Sequence, residues 1–209
     1  MEGGPMGWWR EHVVPRLVDM NQGPVLGDLR TRACAGLHGD VVEIGFGSGL
    51  NVAHYPAAVR AVWAVEPSEV AWKMARPRIA AGSVRVTREG LDGQRLPMPD
   101  ARFDTALSTL ALCTIPDLDK ALGEIRRVLR PGGRLYFLEH GRSPDARVAR
   151  WQNRLQPLNG RLAGGCHLNR PIADLLRRGG LEIEELETFY IARPSPFTYA
   201  FLGTARNPG

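Results

Sequence analysis

Lysine is almost absent from this chain. Lys73 and Lys120 stand alone, and arginine supplies nearly all of the positive charge. The arginines are scattered singly or in pairs such as Arg126-Arg127 and Arg177-Arg178. A net charge of +5 without a basic stripe reads as solvated helix faces, so nucleic acid is not an expected partner. Cysteine is scarce too. Cys34, Cys113 and Cys166 lie far apart, are odd in number and form no Cys-x-x-Cys pair. That spacing offers neither a zinc motif nor a disulfide framework, so no metal is expected and the thiols read as reduced. No apolar run approaches the ~20 residues of a bilayer span. Met1 to Arg10 has no basic stretch leading into an apolar one and does not read as a signal peptide. A cytoplasmic location follows as the expectation, with peripheral membrane contact left open. There is no internal repeat and no low-complexity linker. The 209 residues, 44% hydrophobic and 23% charged, suit one folded domain with one core.

What is present alternates. Short β-branched runs separate longer helical stretches, the pattern of a parallel sheet with crossover helices. Residues 8–20 suit an N-terminal helix, with Pro15 at a start or a kink, and residues 26–37 suit a second. Strands are expected at 41–44, 61–65, 84–87, 103–110 and 135–138. Helices are expected at 50–55, 70–80, 118–129, 145–162 and 171–178. Leu118, Leu122, Ile125, Val128 and Leu129 share one helical face. Two runs, 181–191 and 197–205, are separated only by a short segment with Pro194 and Pro196, which suggests an antiparallel hairpin at the sheet edge.

The segment Glu43-Ile44-Gly45-Phe46-Gly47-Ser48-Gly49 carries the most chemistry. A strand ends in an acid, glycine recurs at every second position, and a helix is expected to follow. Glycine permits a tight turn and close approach of a ligand, and a helix N-terminus favours a carboxylate or phosphate there. The dinucleotide fingerprint Gly-x-Gly-x-x-Gly fails, because its third position falls on Leu50. Glu43 suits a ligand with a cationic amino-acid end better than a pyrophosphate. This favours S-adenosylmethionine over a nicotinamide dinucleotide. Glu66 ends the second strand and is followed by Pro67; an acid there can accept from both hydroxyls of a ribose.

With these residues in view, the sequence resembles the class I methyltransferase superfamily over nearly its whole length. The resemblance implies a Rossmann-like α/β fold: a seven-stranded, mostly parallel sheet with an antiparallel C-terminal hairpin strand and helices on both faces. Three further segments carry it. Leu91-Asp92-Gly93-Gln94-Arg95-Leu96-Pro97-Met98-Pro99-Asp100 is similar to the family's loop after strand three, which implies Asp92 at the adenine amino group and the Gly93 N–H at a ring nitrogen. Phe103-Asp104-Thr105-Ala106 and Thr109-Leu110 resemble strand four and its exit, which implies backbone contacts from Thr109 and Leu110 to the methionine end. Leu129-Arg130-Pro131-Gly132-Gly133 resembles the turn before strand five. The implied cofactor-binding set is Glu43, Gly45, Phe46, Gly47, Gly49, Glu66, Pro67, Asp92, Gly93, Thr109 and Leu110. The implied product is S-adenosylhomocysteine.

A narrower resemblance rests on Leu112-Cys113-Thr114-Ile115, Phe137-Leu138-Glu139-His140, Trp151-Gln152 and Gly165-Cys166-His167-Leu168-Asn169-Arg170. These are similar to the methyltransferase-like 7 group, which implies S-methylation of a small lipophilic thiol. The membrane anchor of that group's animal members is not expected here. N- or C-methylation of a phospholipid amine or quinone precursor, and a non-catalytic S-adenosylmethionine-binding protein, stay open as alternatives. Methyl transfer from a sulfonium demands in-line positioning and exclusion of water. His140, just past strand five, is placed to serve as base, with Glu139 orienting it or lining the pocket. Cys113 reads as a pocket wall, and Cys166-His167 as a lid or a turn. Residues 1–37 are expected to cap the site, with Trp8, Trp9 and Trp151 forming an apolar acceptor pocket and Trp63 in the core. The oligomeric state is not readable.

Overall fold

A computed structural model describes residues 5–22 and 26–209. Two short helices come first, α1 (Pro5–His12) and α2 (Val14–Gln22). The single helix expected over 8–20 is thus broken at Val13. Pro15 falls in the first turn of α2, where its missing N–H leaves no bond unmade. Helix α3 (Gly27–Cys34) follows, and then the alternating part of the chain: β1 (Gly39–Ile44), β2 (Val59–Val65), α4 (Glu69–Ala81), β3 (Arg85–Gly90), β4 (Phe103–Thr109), α5 (Leu118–Val128) and β5 (Leu129–His140). The last elements are α6 (Ala146–Leu162), α7 (Ile172–Arg178), β6 (Glu182–Tyr190) and β7 (Tyr199–Arg206).

The seven strands form one sheet in the order β3-β2-β1-β4-β5-β7-β6. The first five run parallel. β7 is antiparallel to both β5 and β6, so the C-terminal hairpin closes one edge as the short Pro-containing connection suggests. Residues 41–44 are buried without a break, the mark of a strand covered on both faces. Val41 points into a core with Ala33 and Cys34 of α3 and Ala75 of α4. Val42 and Ile44 point the other way, towards Leu122 and Ile125 of α5 and Leu176 of α7. Side-chain caps start the crossover helices: Ser68 accepts from the Ala71 N–H, Asp117 from Lys120, and Asp145 from Arg147.

One expected element is missing. The helix at 50–55 is only a short 3-10 turn, Val52–His54. Tyr55 is extended because Pro56 follows it, and a residue before proline is pushed out of the helical region. The glycine loop therefore has no helix dipole behind it. A second boundary also moves: α5 ends at Val128 and β5 begins at once, so the segment expected as the turn before strand five already lies within it.

Two glycine substitutions test the packing. Gly123 is exposed within α5 and a Cβ there meets nothing within 4 Å. Gly123→Ala should raise stability by about 0.5–1 kcal/mol. At Gly203 in β7 a Cβ would stand 2.1 Å from the Glu185 carbonyl oxygen. Gly203→Ala should therefore lower the urea midpoint, and equal midpoints for the two variants would contradict this packing.

Candidate active site

The strand order reverses between β1 and β4. Successive crossovers lead outward in opposite directions from that point and leave a crevice beyond the carboxyl ends of the strands. A cavity of about 450 Å³ occupies it. Its walls are the loops after β1 (Gly45 to Ser48), β2 (Glu66 to Ser68), β3 (Leu91 to Gln94) and β4 (Thr109 to Ala111). Val14, Pro15 and Val18 of α2 form its roof together with Ala163 and Gly164 beyond α6.

Of the sequence-derived cofactor residues, Gly45, Phe46, Gly47, Glu66, Pro67, Asp92, Gly93, Thr109 and Leu110 line this cavity. Gly45 has φ +70° and a Cβ on it would lie 2.2 Å from the Ala111 Cβ, so no other residue fits. Leu110 also has a positive φ, +55°, which is rare for a bulky side chain and marks a held backbone at the exit of β4. Glu66 is buried at the end of β2. One carboxylate oxygen accepts from the Gly47 N–H and the other from the Ser68 N–H, both at 2.7 Å. Each oxygen keeps a second lone pair. Burial pushes the Glu66 pKa up while these two amides pull it down. Asp92 Oδ1 accepts from the backbone and side-chain N–H groups of Gln94, which shapes the β3 loop.

Gly49 and Glu43 lie behind the wall instead. A Cβ on Gly49 would meet Ala75, Phe46 and Val52, so its place is in the packing under the loop. Glu43 is fully buried. Asn51 Nδ2 donates to its Oε1 at 2.8 Å, and the Tyr55 hydroxyl donates to Oε2. Arg30, which does line the cavity, donates to Asn51 Oδ1 at 2.8 Å and to Thr109 Oγ1 at 3.0 Å. Burial pushes the Glu43 pKa up to about 7, against the pull of Tyr55, Asn51 and Arg30. The sequence reading missed Arg30, Asn51 and Tyr55. Arg30 had no signal, being one arginine among many on a predicted helix. Asn51 sits just past the glycine loop and was readable only as part of the expected helix.

The residues read as catalytic do not reach the cavity. Glu139 and His140 are neighbours on β5 and point to opposite faces. Glu139 is fully buried, and its Oε1 accepts from Ser108 Oγ and from the Ala111 and Leu112 N–H groups. It shapes the loop after β4 and makes no hydrogen bond to the His140 ring among the described residues. His140 Nε2 lies 2.8 Å from Cys166 Sγ, which is 3.8 Å from Cys113 Sγ. Burial lowers the His140 pKa, but Cys166 and Glu139 outweigh it and leave it raised. Cys113 is thus no cavity wall; Ala111 and Thr114 on either side of it are. The His167 N–H donates to the Cys113 carbonyl at 2.9 Å, so the segment after α6 is stitched to the loop after β4. Arg170 donates to the Ile115 carbonyl at 2.6 Å and adds a second stitch.

The tryptophans are placed differently from expectation. Trp8 is 60% exposed and stacks on His12, Trp151 is 54% exposed, and neither lines the cavity. Trp9 donates its indole N–H to the Leu162 carbonyl, tying α1 to the end of α6. Trp63 packs against the core and edge-on to Phe103, as expected. Asp19 on α2 holds the roof down, accepting from Ser48 Oγ and pairing with Arg78 at 2.9 Å.

A methyltransferase domain family matches residues 42–137, which span the cavity loops from β1 to β5. A thiol S-methyltransferase of Rattus norvegicus is 30% identical over 169 residues, 78% of this chain and 66% of its own length. The chain thus spans just under two thirds of that relative. A phosphatidylethanolamine N-methyltransferase of Cereibacter sphaeroides is 28% identical over 151 residues, 66% of this chain and 74% of its own length. The solved structure of an S-adenosylmethionine-dependent methyltransferase from Mesorhizobium loti shares the fold, with a TM-score of 0.61 at 22% identity over 88% of this chain and 99% of that one.

The buried carboxylate under the glycine loop gives a pH test. Its folded pKa, about 7, exceeds its ordinary 4.5, so the folded state holds the proton more tightly than the unfolded state. Stability should fall as pH rises between those two values and then level off. Glu43→Gln should cost stability, because an amide N–H₂ replaces one of the two oxygens that accept from Asn51 and Tyr55, yet should remove this decline. Urea midpoints measured across that range for both proteins decide it; parallel pH profiles would refute the assignment.

Proposed function

We propose that the chain is a class I S-adenosylmethionine-dependent methyltransferase and that it methylates a small lipophilic thiol. The single observation that supports a thiol is the similarity to the rat thiol S-methyltransferase over 78% of the chain. The cavity is compatible with it. Its roof over the expected methyl end is aliphatic, from Val14, Pro15, Val18 and Ile115, and no histidine, lysine or cysteine lines it among the described residues. A thiol of pKa near 8.5 is a few per cent thiolate at neutral pH and needs little help from a base.

When bound, S-adenosylmethionine supplies an electrophilic methyl group on a sulfonium. The chain's part is to hold and exclude. The close approach at Gly45 and the lone pairs left on Glu66 fit such a ligand. In this reading Glu66 accepts from the ribose hydroxyls, Asp92 and the Gly93 N–H meet the adenine, and the backbone of Gly45 to Gly47, Thr109 and Leu110 cradles the methionine end. Arg30 faces the methionine carboxylate, and Glu43 acts through Asn51 and Arg30 as a positioning residue. The acceptor enters under α2, so the N-terminal segment is a cap. With its proton lost to solvent, the acceptor thiolate would be held by the roof in line with the methyl group that the bound sulfonium would supply. Water is excluded by the aliphatic roof, and orientation supplies most of the rate. His140 and Glu139 shape the loops around the cavity and carry no proton in this mechanism.

N-methylation of a phospholipid amine is the second reading, supported by the similarity to the phosphatidylethanolamine enzyme over 74% of its length. Calorimetric titration with S-adenosylhomocysteine, followed in the same preparation by methyl transfer to an alkyl thiol, separates the two. Binding with turnover in plain buffer supports the thiol. Binding without turnover, and turnover only on amine lipid in vesicles, supports the second reading. Binding with no turnover on either leaves a non-catalytic S-adenosylmethionine-binding protein, and absence of binding refutes the cofactor site. Glu66→Ala should weaken S-adenosylhomocysteine roughly 10–100-fold through the lost charge-assisted bonds, with little change in the far-UV spectrum. Unchanged affinity would remove Glu66 from the site.

A further inference from the structure

Three side chains that the mechanism leaves idle converge beside the cavity. Cys113 comes from the loop after β4, His140 from the end of β5, and Cys166 from the segment after α6. Their ligating atoms, Sγ, Nε2 and Sγ, all lie within 4.8 Å of one another. Cys113 and Cys166 are buried and His140 is largely so. We propose that Cys113, His140 and Cys166 form a binding site for a single zinc ion, which joins the loop after β4 and the segment after α6, both walls of the cavity, to the end of β5.

The donor chemistry selects the metal. Two thiolates and one neutral imidazole suit a borderline-soft ion and disfavour magnesium or calcium, which take oxygen donors. The geometry is close to what zinc requires. Two thiolates on one tetrahedral zinc, each about 2.3 Å from it, stand ~3.8 Å apart. The Cys113 and Cys166 sulfurs are 3.8 Å apart already. The imidazole stands nearer, 2.8 Å from Cys166, and opens by roughly 0.7 Å to leave room for the ion. Binding releases the two thiol protons and leaves one tetrahedral position, since no fourth cysteine, histidine, aspartate or glutamate joins the group among the described residues. The surrounding backbone is prepared for a fixed site. Gln156 and Asn159 of α6 both donate to the Cys166 carbonyl, and His167 donates to that of Cys113. Thr114, next to Cys113, and Gly164, two residues before Cys166, both line the cavity. A zinc ion here therefore fixes the roof segment to the wall.

The test uses the untagged full chain, reduced and stripped of metal, and needs no acceptor or cofactor. It stands or falls separately from the thiol reading. Elemental analysis after exposure to Zn(II) should show one equivalent retained through gel filtration. Co(II) should give intense sulfur-to-cobalt charge-transfer absorption with the strong visible bands of tetrahedral coordination. The thermal midpoint should rise with Zn(II) concentration. Cys166→Ser should lose the charge-transfer band, and its zinc affinity should fall by more than the roughly 10–100-fold that an outer-shell partner is worth. Should that variant fail to fold, the wild-type measurements alone decide. Retention of no zinc by the folded, reduced wild type overturns the site. So does a weak, octahedral cobalt spectrum. A Cys113–Cys166 disulfide, two mass units lighter, that persists with excess zinc and reductant overturns it as well.

Discussion

The burial of Glu43 constrains the rest of the site. A carboxylate with no exposure is tolerated only where partners surround it. Its partners come from separate parts of the chain: Asn51 and Tyr55 after the glycine loop, and the charge of Arg30 on α3. Asn51 and Arg30 pass the connection on to Thr109 at the end of β4. One buried polar cluster thus locks the glycine loop, the exit of β4 and α3 to each other. This explains how the loop keeps its shape without the α-helix that was expected to follow it. The last turn before Pro56 is short, and side-chain hydrogen bonds stand in for a helix N-terminus.

Above that floor the molecule is built differently. The roof is aliphatic and tied down at a few places: Asp19 to Ser48 and Arg78, Trp9 to the end of α6, and the segment around Cys166 to the loop after β4. Partly exposed charge pairs such as Asp19–Arg78 contribute modestly. The floor is preorganised, and the roof hangs on few contacts. That division suits a reaction whose demands are orientation and dryness.

Much of this was readable from residue order. The glycine loop, the acid ending β2 and the Asp92-Gly93 pair are local motifs, and nine of the proposed cofactor residues line one cavity. Local motifs are legible because each is a short run whose backbone geometry depends on its own residues. The strand sequence and the closing hairpin were legible for the same reason, through periodicity and short connections. Boundaries were less so: Tyr55, extended before Pro56, shows one proline deciding where a helix can exist.

What residue order determined, then, is the alternation of strands and helices and the loops that carry the motifs; the reversal of strand order came only with the fold. Only the tertiary structure decided which polar groups share a buried space. Arg30 and Glu43 are both buried and linked through Asn51, an arrangement of packing that no spacing encodes. His140 is turned from the cavity to Cys166 because alternate residues of a strand face opposite sides, and the sheet's cover settles which side is which. Cys113 and Cys166 looked like isolated thiols in the chain and stand 3.8 Å apart in the fold, because the crossover through β5 and α6 returns beside the end of β4. Proximity of that kind is set by chain topology, and a linear sequence records it only indirectly.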